Sequence, residues 1–347
     1  MDPSVYIPAY LERAYVASHP ELTDAARELV HNDVSVNPQK YAQTEHAQAL
    51  LSYAGVHRHL LDELHRIEDM GSDEEFEQTR NRLFDDMRDE LLKIVRVDAL
   101  AVDAQLLAII LAGTPVDACL GDLMKLEATT TDYLRQSVPG FDMEAPHYWA
   151  NNVLADGVTA ADLTVSEPAL IGWLHTLEAI SQLCMASARY RAAANYARRV
   201  LKAEGYPTRA AGTVLLALAR LEDQDGFFAL AHQLEEQMGA DALENSPWYL
   251  LARTILLFKT NKMRPATRAL REFANRCEGG AFFLLNPMYQ TPYLPCRPEP
   301  HDPWDLSHQA VWEADGIISD TPDFAPWANA CEDVSQLAQE FARRYGF

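Results

Sequence analysis

Between residues 72 and 95 the apolar side chains Phe76, Leu83, Met87, Leu91 and Ile94 recur at helical spacing among charged neighbours. That periodicity predicts an amphipathic helix. Ser72 and Glu75 stand at capping-box spacing, so each can satisfy an orphan amide at the helix start. The acidic residues at 73–75 also complement the positive end of the helix dipole. A second apolar helix is predicted from Ala99 to Ala112, running into Gly113-Thr114-Pro115. There Thr114 would cap the next helix and Pro115 would take its first position. So short a break makes the two helices antiparallel. No alternating β-branched run bounded by turn residues occurs anywhere, and the chain reads as all-α.

Two stretches interrupt the helical pattern. From Val138 to Pro168 the chain carries three prolines among glycines and the pair Asn151-Asn152, and residues 137–166 read as a loop-rich joint. Asn286 to Pro303 holds six prolines, too many for a helix, and reads as an extended segment. Helix is predicted again over Trp304–Ile318 and from Ala330 to Arg344. The resulting division is an N-terminal helical region (1–71), degenerate repeat-like helical pairs (72–136), the joint (137–166), three repeats (167–283), and a Pro-rich segment with capping helices (284–347).

The repeats come from an internal period. Tyr190-Arg-Ala-Ala193, Phe227-Phe228-Ala229 and Pro265-Ala266 each place an alanine early in the second helix of a pair. Ala229 follows Ala193 by 36 residues and Ala266 follows Ala229 by 37, close to the ~34-residue period of tetratricopeptide (TPR) repeats. Each alanine is preceded by an apolar helix: TLEAISQLCM, GTVLLALARL, then SPWYLLARTILLF. Trp248, Leu251, Ala252 and Ile255 match the large-large-small-large pattern of a first TPR helix. Ala266, Leu270 and Phe273 match a second, and Leu216-Ala217 hold the large-small pair of the middle unit. A small residue lets two helices cross closely while large ones fill the space between repeats. Ser181, Cys184 and Arg220 depart from the motif.

On these residues, 173–283 resemble three degenerate TPR units. The following segment resembles the closing region of a broad family of TPR-like proteins that includes the suppressor-of-tumorigenicity-seven type. The matching residues are Asn286-Pro287, Pro292-Tyr293-Leu294, the stretch His308–Ala314, Thr321-Pro322 and Trp327. By repeat pattern the likeness covers roughly residues 75–335. It implies a right-handed α-α superhelix, a TPR-like solenoid of antiparallel helix pairs with terminal capping helices. It brings no shared catalytic residue and no cofactor. In such an array the first helices line a concave groove for a partner's peptide or helix. The groove residues would be His175, Glu178 and Gln182 from the first unit, Val214 and Leu218 from the second, and Tyr249 and Arg253 from the third.

Charge narrows the partner. Lys and Arg total 29 against 51 Asp and Glu, a net charge of -22, which repels phosphate backbones and anionic lipid surfaces and steers in a basic protein or peptide. Nucleic acid and membrane are therefore not expected partners. Five widely spaced cysteines without a CxxC pair suit a reducing cytosol and argue against a disulfide framework or structural zinc. The first residues do not read as a signal peptide, and the Ala99–Ala112 run is too short to span a bilayer. A cytoplasmic location is expected.

Candidate chemistry is thin. His57, His59, Glu63 and His65 cluster in GVHRHLLDELHRIED, with His59 and Glu63 at i,i+4. No HExxH or second ligand pair accompanies them, so they read as residues of a solvated helix, with no metal site. No GxSxG, GxxxxGK[ST] or GxGxxG occurs. Tyr289, Tyr293, Trp304 and Trp312 read as rings that cap the last repeat. The chain is thus expected to be a non-enzymatic, protein-binding scaffold. The alternatives are a self-pairing homo-oligomer and an enzyme with a polar pocket around His147 and Asp156 in the joint.

Overall fold

A computed structural model describes residues 1–67, 72–154, 157–290 and 302–347. Among the described residues there are α-helices and short 3-10 turns but no strand, apart from one isolated bridge between Phe141 and Trp149. The helices are α1 (Pro3–Ser18), α2 (Asp24–Val34), α3 (Glu45–Ile67), α4 (Asp73–Val97), α5 (Val102–Ile110), α6 (Val116–Ser137), α7 (Ala160–Val165), α8 (Pro168–Ala186) and α9 (Tyr190–Leu201). There follow α10 (Ala210–Arg220), α11 (Gln224–Met238), α12 (Ala240–Glu244), α13 (Pro247–Lys259), α14 (Met263–Arg276), α15 (Gly280–Leu285), α16 (Asp305–Ser319), α17 (Phe324–Asn329) and α18 (Glu332–Tyr345). They form two compact units. Among the described residues, the first comprises Met1–Ile180 with Arg199–Thr208, and the second Ser181–Arg198 with 209–290 and 302–347.

In the first unit, α4 begins where its cap predicts: the Ser72 side chain accepts from the Glu75 amide at 3.4 Å. Met87, Leu91 and Ile94 are buried, whereas Phe76 and Leu83 are half-buried. Helix α4 packs between α3 and α5, and α5 against α6. The cap of α6 lies one residue later than predicted. Pro115 is the N-cap with ψ 146°, and this extended backbone leaves Val116 as the first helical residue.

The joint at 137–166 is packed as well as loop-rich. After two 3-10 turns, Thr159 and Asp162 form a capping box that starts α7. Tyr148 and Trp149 are buried. The Trp149 indole donates to Thr164 Oγ1 at 3.1 Å and the Tyr148 hydroxyl to the Arg199 carbonyl at 2.6 Å. At Gly140, φ is 81° and a Cβ would stand 2.4 Å from Val153 Cγ1, so only glycine fits the turn.

The second unit holds two complete helix pairs, α10 with α11 and α13 with α14, and the first helices of these pairs pack on each other. Leu216, Ala217, Trp248, Leu251, Ala252 and Ile255 are all buried at that contact or beside it. Gly212 lies close against the second of these helices: a Cβ there would meet Trp248 Cγ at 2.3 Å. The alanine period shifts in the middle pair. Ala193 and Ala266 are fully buried, but Ala229 is exposed, and Phe227 and Ala231 fill the interior instead. Two positions along a helix rotate a side chain by about 200°, which is why Ala229 and Ala231 face opposite ways.

At the end of this unit Phe282, Phe283, Trp304, Phe341 and Phe347 stack with ring centroids 5.0–6.4 Å apart, and Tyr289 joins them. Trp304 and Tyr289 thus belong to this ring cluster, Trp312 is half-buried, and Tyr293 lies outside the described residues. So does most of the Pro-rich segment; its described part includes a 3-10 turn at Pro287–Tyr289.

Candidate functional site

Three features of the first unit concentrate chemistry. Innermost is a polar network that joins three helices. Asp103 on α5 is 5% exposed, and both its carboxylate oxygens are taken. The Tyr6 hydroxyl of α1 donates to one at 2.6 Å, and His175 Nδ1 of α8 faces the other at 2.8 Å. Nε2 of His175 lies 2.6 Å from the Met1 backbone nitrogen. Burial alone would raise the Asp103 pKa, but the charge and hydrogen bond of His175 and the hydrogen bond of Tyr6 outweigh it and the carboxyl is held below its ordinary value. Burial, then the Asp103 charge, push the Tyr6 phenol well above its own. His57 of α3 is 9% exposed, not on the solvated face that its sequence suggests, and burial lowers its pKa against the pull of Asp2 and Asp103. Around this centre, Tyr206 and Thr208 both donate to Glu178. An Asp-His pair can orient a general base, yet here both nitrogens and both oxygens are engaged by the protein itself.

A second cluster gathers Tyr10 and Arg13 of α1, His46 of α3, Asp98 at the end of α4, Tyr133 of α6 and Glu167. His46 Nδ1 lies 2.5 Å from Asp98 Oδ2, the Tyr10 ring packs edge-on to His46 at 5.4 Å, and Arg13 donates to Ser166. Burial raises the Glu167 pKa more than Arg13 lowers it.

The third feature is open. Along the outer face of α3 and α4 runs a groove of about 660 Å³. Its floor is Ala49, Gly55, Val56, Met87, Ile94 and Val97, and its rim carries Glu45, Gln48, Ser52, His59, Glu90 and Lys93. From Glu45 to His59 it extends about 21 Å at the rise of an α-helix. Both helices supply it by one rule: positions three and four apart share a face, and Ala49, Ser52 and Gly55 keep the α3 side low. Val97 on its floor is 68% exposed.

The residues expected to line a TPR groove behave differently. Val214 and Leu218 are sealed in the helical core at 0% and 2% exposure and cannot meet a partner, because helix α10 is buried nearly all round. His175 and Glu178 are occupied by the network just described. Tyr249 stacks on Phe227 at 6.0 Å and Arg253 pairs with Glu272 at 2.9 Å, both half-buried. Gln182 lines a separate small cleft of the second unit beside Trp312 and Glu313. Of the histidine cluster, His59 reaches the open groove while Glu63 pairs with Arg66. In the joint, His147 is half exposed with Nδ1 3.2 Å from the Lys202 carbonyl, and Asp156 lies outside the described residues.

Among the described residues no three His, Cys, Asp or Glu side chains are grouped to hold a metal, and no helix is long and apolar enough to cross a membrane. The α3/α4 groove escaped the repeat pattern because it lies outside the three stretches read as repeats; its available signal was an exposed glycine, Gly55, in the middle of a long helix. No family model, no curated protein and no solved structure matches this chain.

Proposed function

We propose that this chain is a non-catalytic helical-repeat scaffold, TPR-like in its helix pairing, that binds a partner protein through the α3/α4 groove. The observation that carries this reading is the groove itself: 660 Å³ of open, apolar-floored space laid along two helices, the shape that accepts an amphipathic helix. Of its rim charges, Glu90 pairs with Lys93 at 2.6 Å, and Glu45 has no ion-pair partner among the described residues. The helix pairs of the second unit, with their close crossing at Gly212, support the solenoid reading and the right-handed superhelix that goes with it. The cytoplasm is the compartment that fits the scattered cysteines, of which Cys119, Cys184, Cys277 and Cys331 are free thiols.

The test is photo-crosslinking in native extract with benzoylphenylalanine placed at Ser52, inside the groove, or at Asp62, exposed on another face of α3. A discrete adduct from Ser52 that is absent from Asp62 is the expected result. Equal adducts from both positions, or none from Ser52, would remove the groove as the binding site. A second reading, acid-base catalysis, is favoured by the raised Glu167 carboxyl beside the His46–Asp98 pair.

A further inference from the structure

Helix α16 lies on α10 and α13, the first helices of the two complete pairs. It runs parallel to α10, because the contacts advance together along both. Arg209, the N-cap of α10, donates to Gln309, Thr213 donates to Glu313 at 3.4 Å, and Arg220 to Asp320 at 3.3 Å. The Trp248 indole of α13 donates to Glu313 at 2.8 Å, and the Tyr190 hydroxyl of α9 to Asp320 at 3.2 Å. In these five bonds each donor belongs to α9, α10 or α13 and each acceptor to α16. Gln309, Glu313 and Asp320 stand at i, i+4 and i+11 and so form one stripe of the helix. Beside it Ala310, Val311, Ala314 and Ile317, 0–1% exposed, form an apolar stripe.

The polar side of this contact is incomplete. Nε of Arg220 is buried without an acceptor among the described residues, and a buried donor left unpaired is costly. A cleft of about 150 Å³ stays open between α16, α10 and the end of α8, lined by Gln182, Met185, Thr213, Trp312 and Asp315 among others. The half-buried Asp315 carboxylate has neither ion pair nor hydrogen bond, and burial raises its pKa with no cation to offset it. Helix α16 thus matches this face in pattern and leaves part of its bonding unused.

We infer that this face of the second unit is a receptor for an acidic amphipathic helix of another protein, and that α16 holds it shut as an internal ligand until such a helix displaces it. The chemistry of the occupant is read from α16 itself. It presents carboxylates or amides at i, i+4 and i+11 to Arg209, Trp248, Tyr190 and Arg220, beside a stripe of small and β-branched residues. A basic helix would instead set cations against Arg209 and Arg220, a costly like-charge contact. The receptor face shares no residue with the α3/α4 groove, so either site can fail alone.

Hydrogen exchange and fluorescence anisotropy on the full chain test this. Glu313→Ala removes the acceptor shared by Trp248 and Thr213 and leaves the apolar stripe in place. Amides of α16 should then exchange at least about tenfold faster while those of α13 stay protected. A labelled peptide of residues 304–321 should bind Glu313→Ala at least about tenfold more tightly than wild type, whose own α16 competes with it. The same peptide carrying Gln309→Lys, Glu313→Lys and Asp320→Lys should bind neither protein. Unchanged exchange in α16 would show that the polar stripe does not hold it, and faster exchange in α16 and α13 together would make α16 part of the core; either result overturns the internal ligand. Faster α16 exchange without tighter peptide binding, or equal binding of the lysine peptide, would overturn the acidic helix as occupant. A Glu313→Ala chain that dimerises in place of taking up the peptide would make a second copy the occupant and overturn a separate partner.

Discussion

Replacing Asp103 probes the interior of the first unit directly. In Asp103→Asn one side-chain oxygen remains as an acceptor, so either Tyr6 or His175 loses its partner and faces an N–H instead. A hydrogen bond to a charged group contributes about 1.5–3 kcal/mol, so the asparagine variant should lose about 2–3 kcal/mol. Asp103→Ala strands both donors in a buried site and should lose about 3–5 kcal/mol. For a unit of this size 1 kcal/mol moves Tm by roughly 2–4 °C, which gives about 4–12 °C for asparagine and 6–20 °C for alanine by calorimetry at pH 7. Tyr6→Phe in the asparagine background should cost less than it does in wild type, since the two residues share one bond. The pH dependence has a defined sign. The folded Asp103 pKa lies below its unfolded value of about 3.9. Its contribution is therefore present above that value and is lost as pH falls through the folded pKa. The gap between wild type and Asp103→Asn should narrow below about pH 4. An asparagine variant that melts within a degree of wild type at pH 7 would refute the reasoning, because the network would then be an accommodated burial rather than a tie between α1, α5 and α8.

Three further outcomes follow from burial and contact. His57 is held below the ordinary histidine pKa of about 6.5 by burial, so the unfolded chain binds the extra proton and stability falls as pH drops below about 6.5; denaturant melts at pH 7, 6 and 5 should show His57→Gln flattening that slope by up to about 1.4 kcal/mol per pH unit. Gly212→Ala drives a methyl into Trp248 at the crossing of α10 and α13, and should cost about 1–3 kcal/mol in thermal unfolding, with Trp248 fluorescence altered. Burial pushes the Cys277 thiol up to about 12, so mass-spectrometric mapping after iodoacetamide treatment of native protein should find Cys277 unmodified while the less buried Cys331 reacts.

The sequence carried the helices well wherever one residue decides an edge or one period decides a face. Ser72 caps α4, the apolar stripe through Leu91 turns inward, and the helices over 248–273 lie where their spacing puts them. Register was harder. Ala229 and Ala231 both fit a small-residue pattern, and only packing against the neighbouring helix chooses between them. The groove assignment failed at Val214 and Leu218 because helix α10 is covered on nearly every side, so that no face is left for a partner. The Asp103 network was invisible for a different reason. Its members come from α1, α5 and α8, and no local spacing brings a tyrosine to an aspartate 97 residues away. Likewise, His57 looks solvated in GVHRHLLDELHRIED until tertiary contact covers it.

That separation sets a timetable for synthesis. At about 5–20 residues per second, the ribosome finishes α1 roughly 5–20 s before Asp103 is made, and His175 comes later still. Through that interval Tyr6, Ile7 and Leu11, all 1% exposed in the finished unit, have only nearby helices to cover them. Helix α1 is thus secured only after α5 and α8 have been made, and the nascent chain carries a sticky amphipathic segment for seconds, long enough for a chaperone to hold it or for a neighbouring nascent chain to capture it.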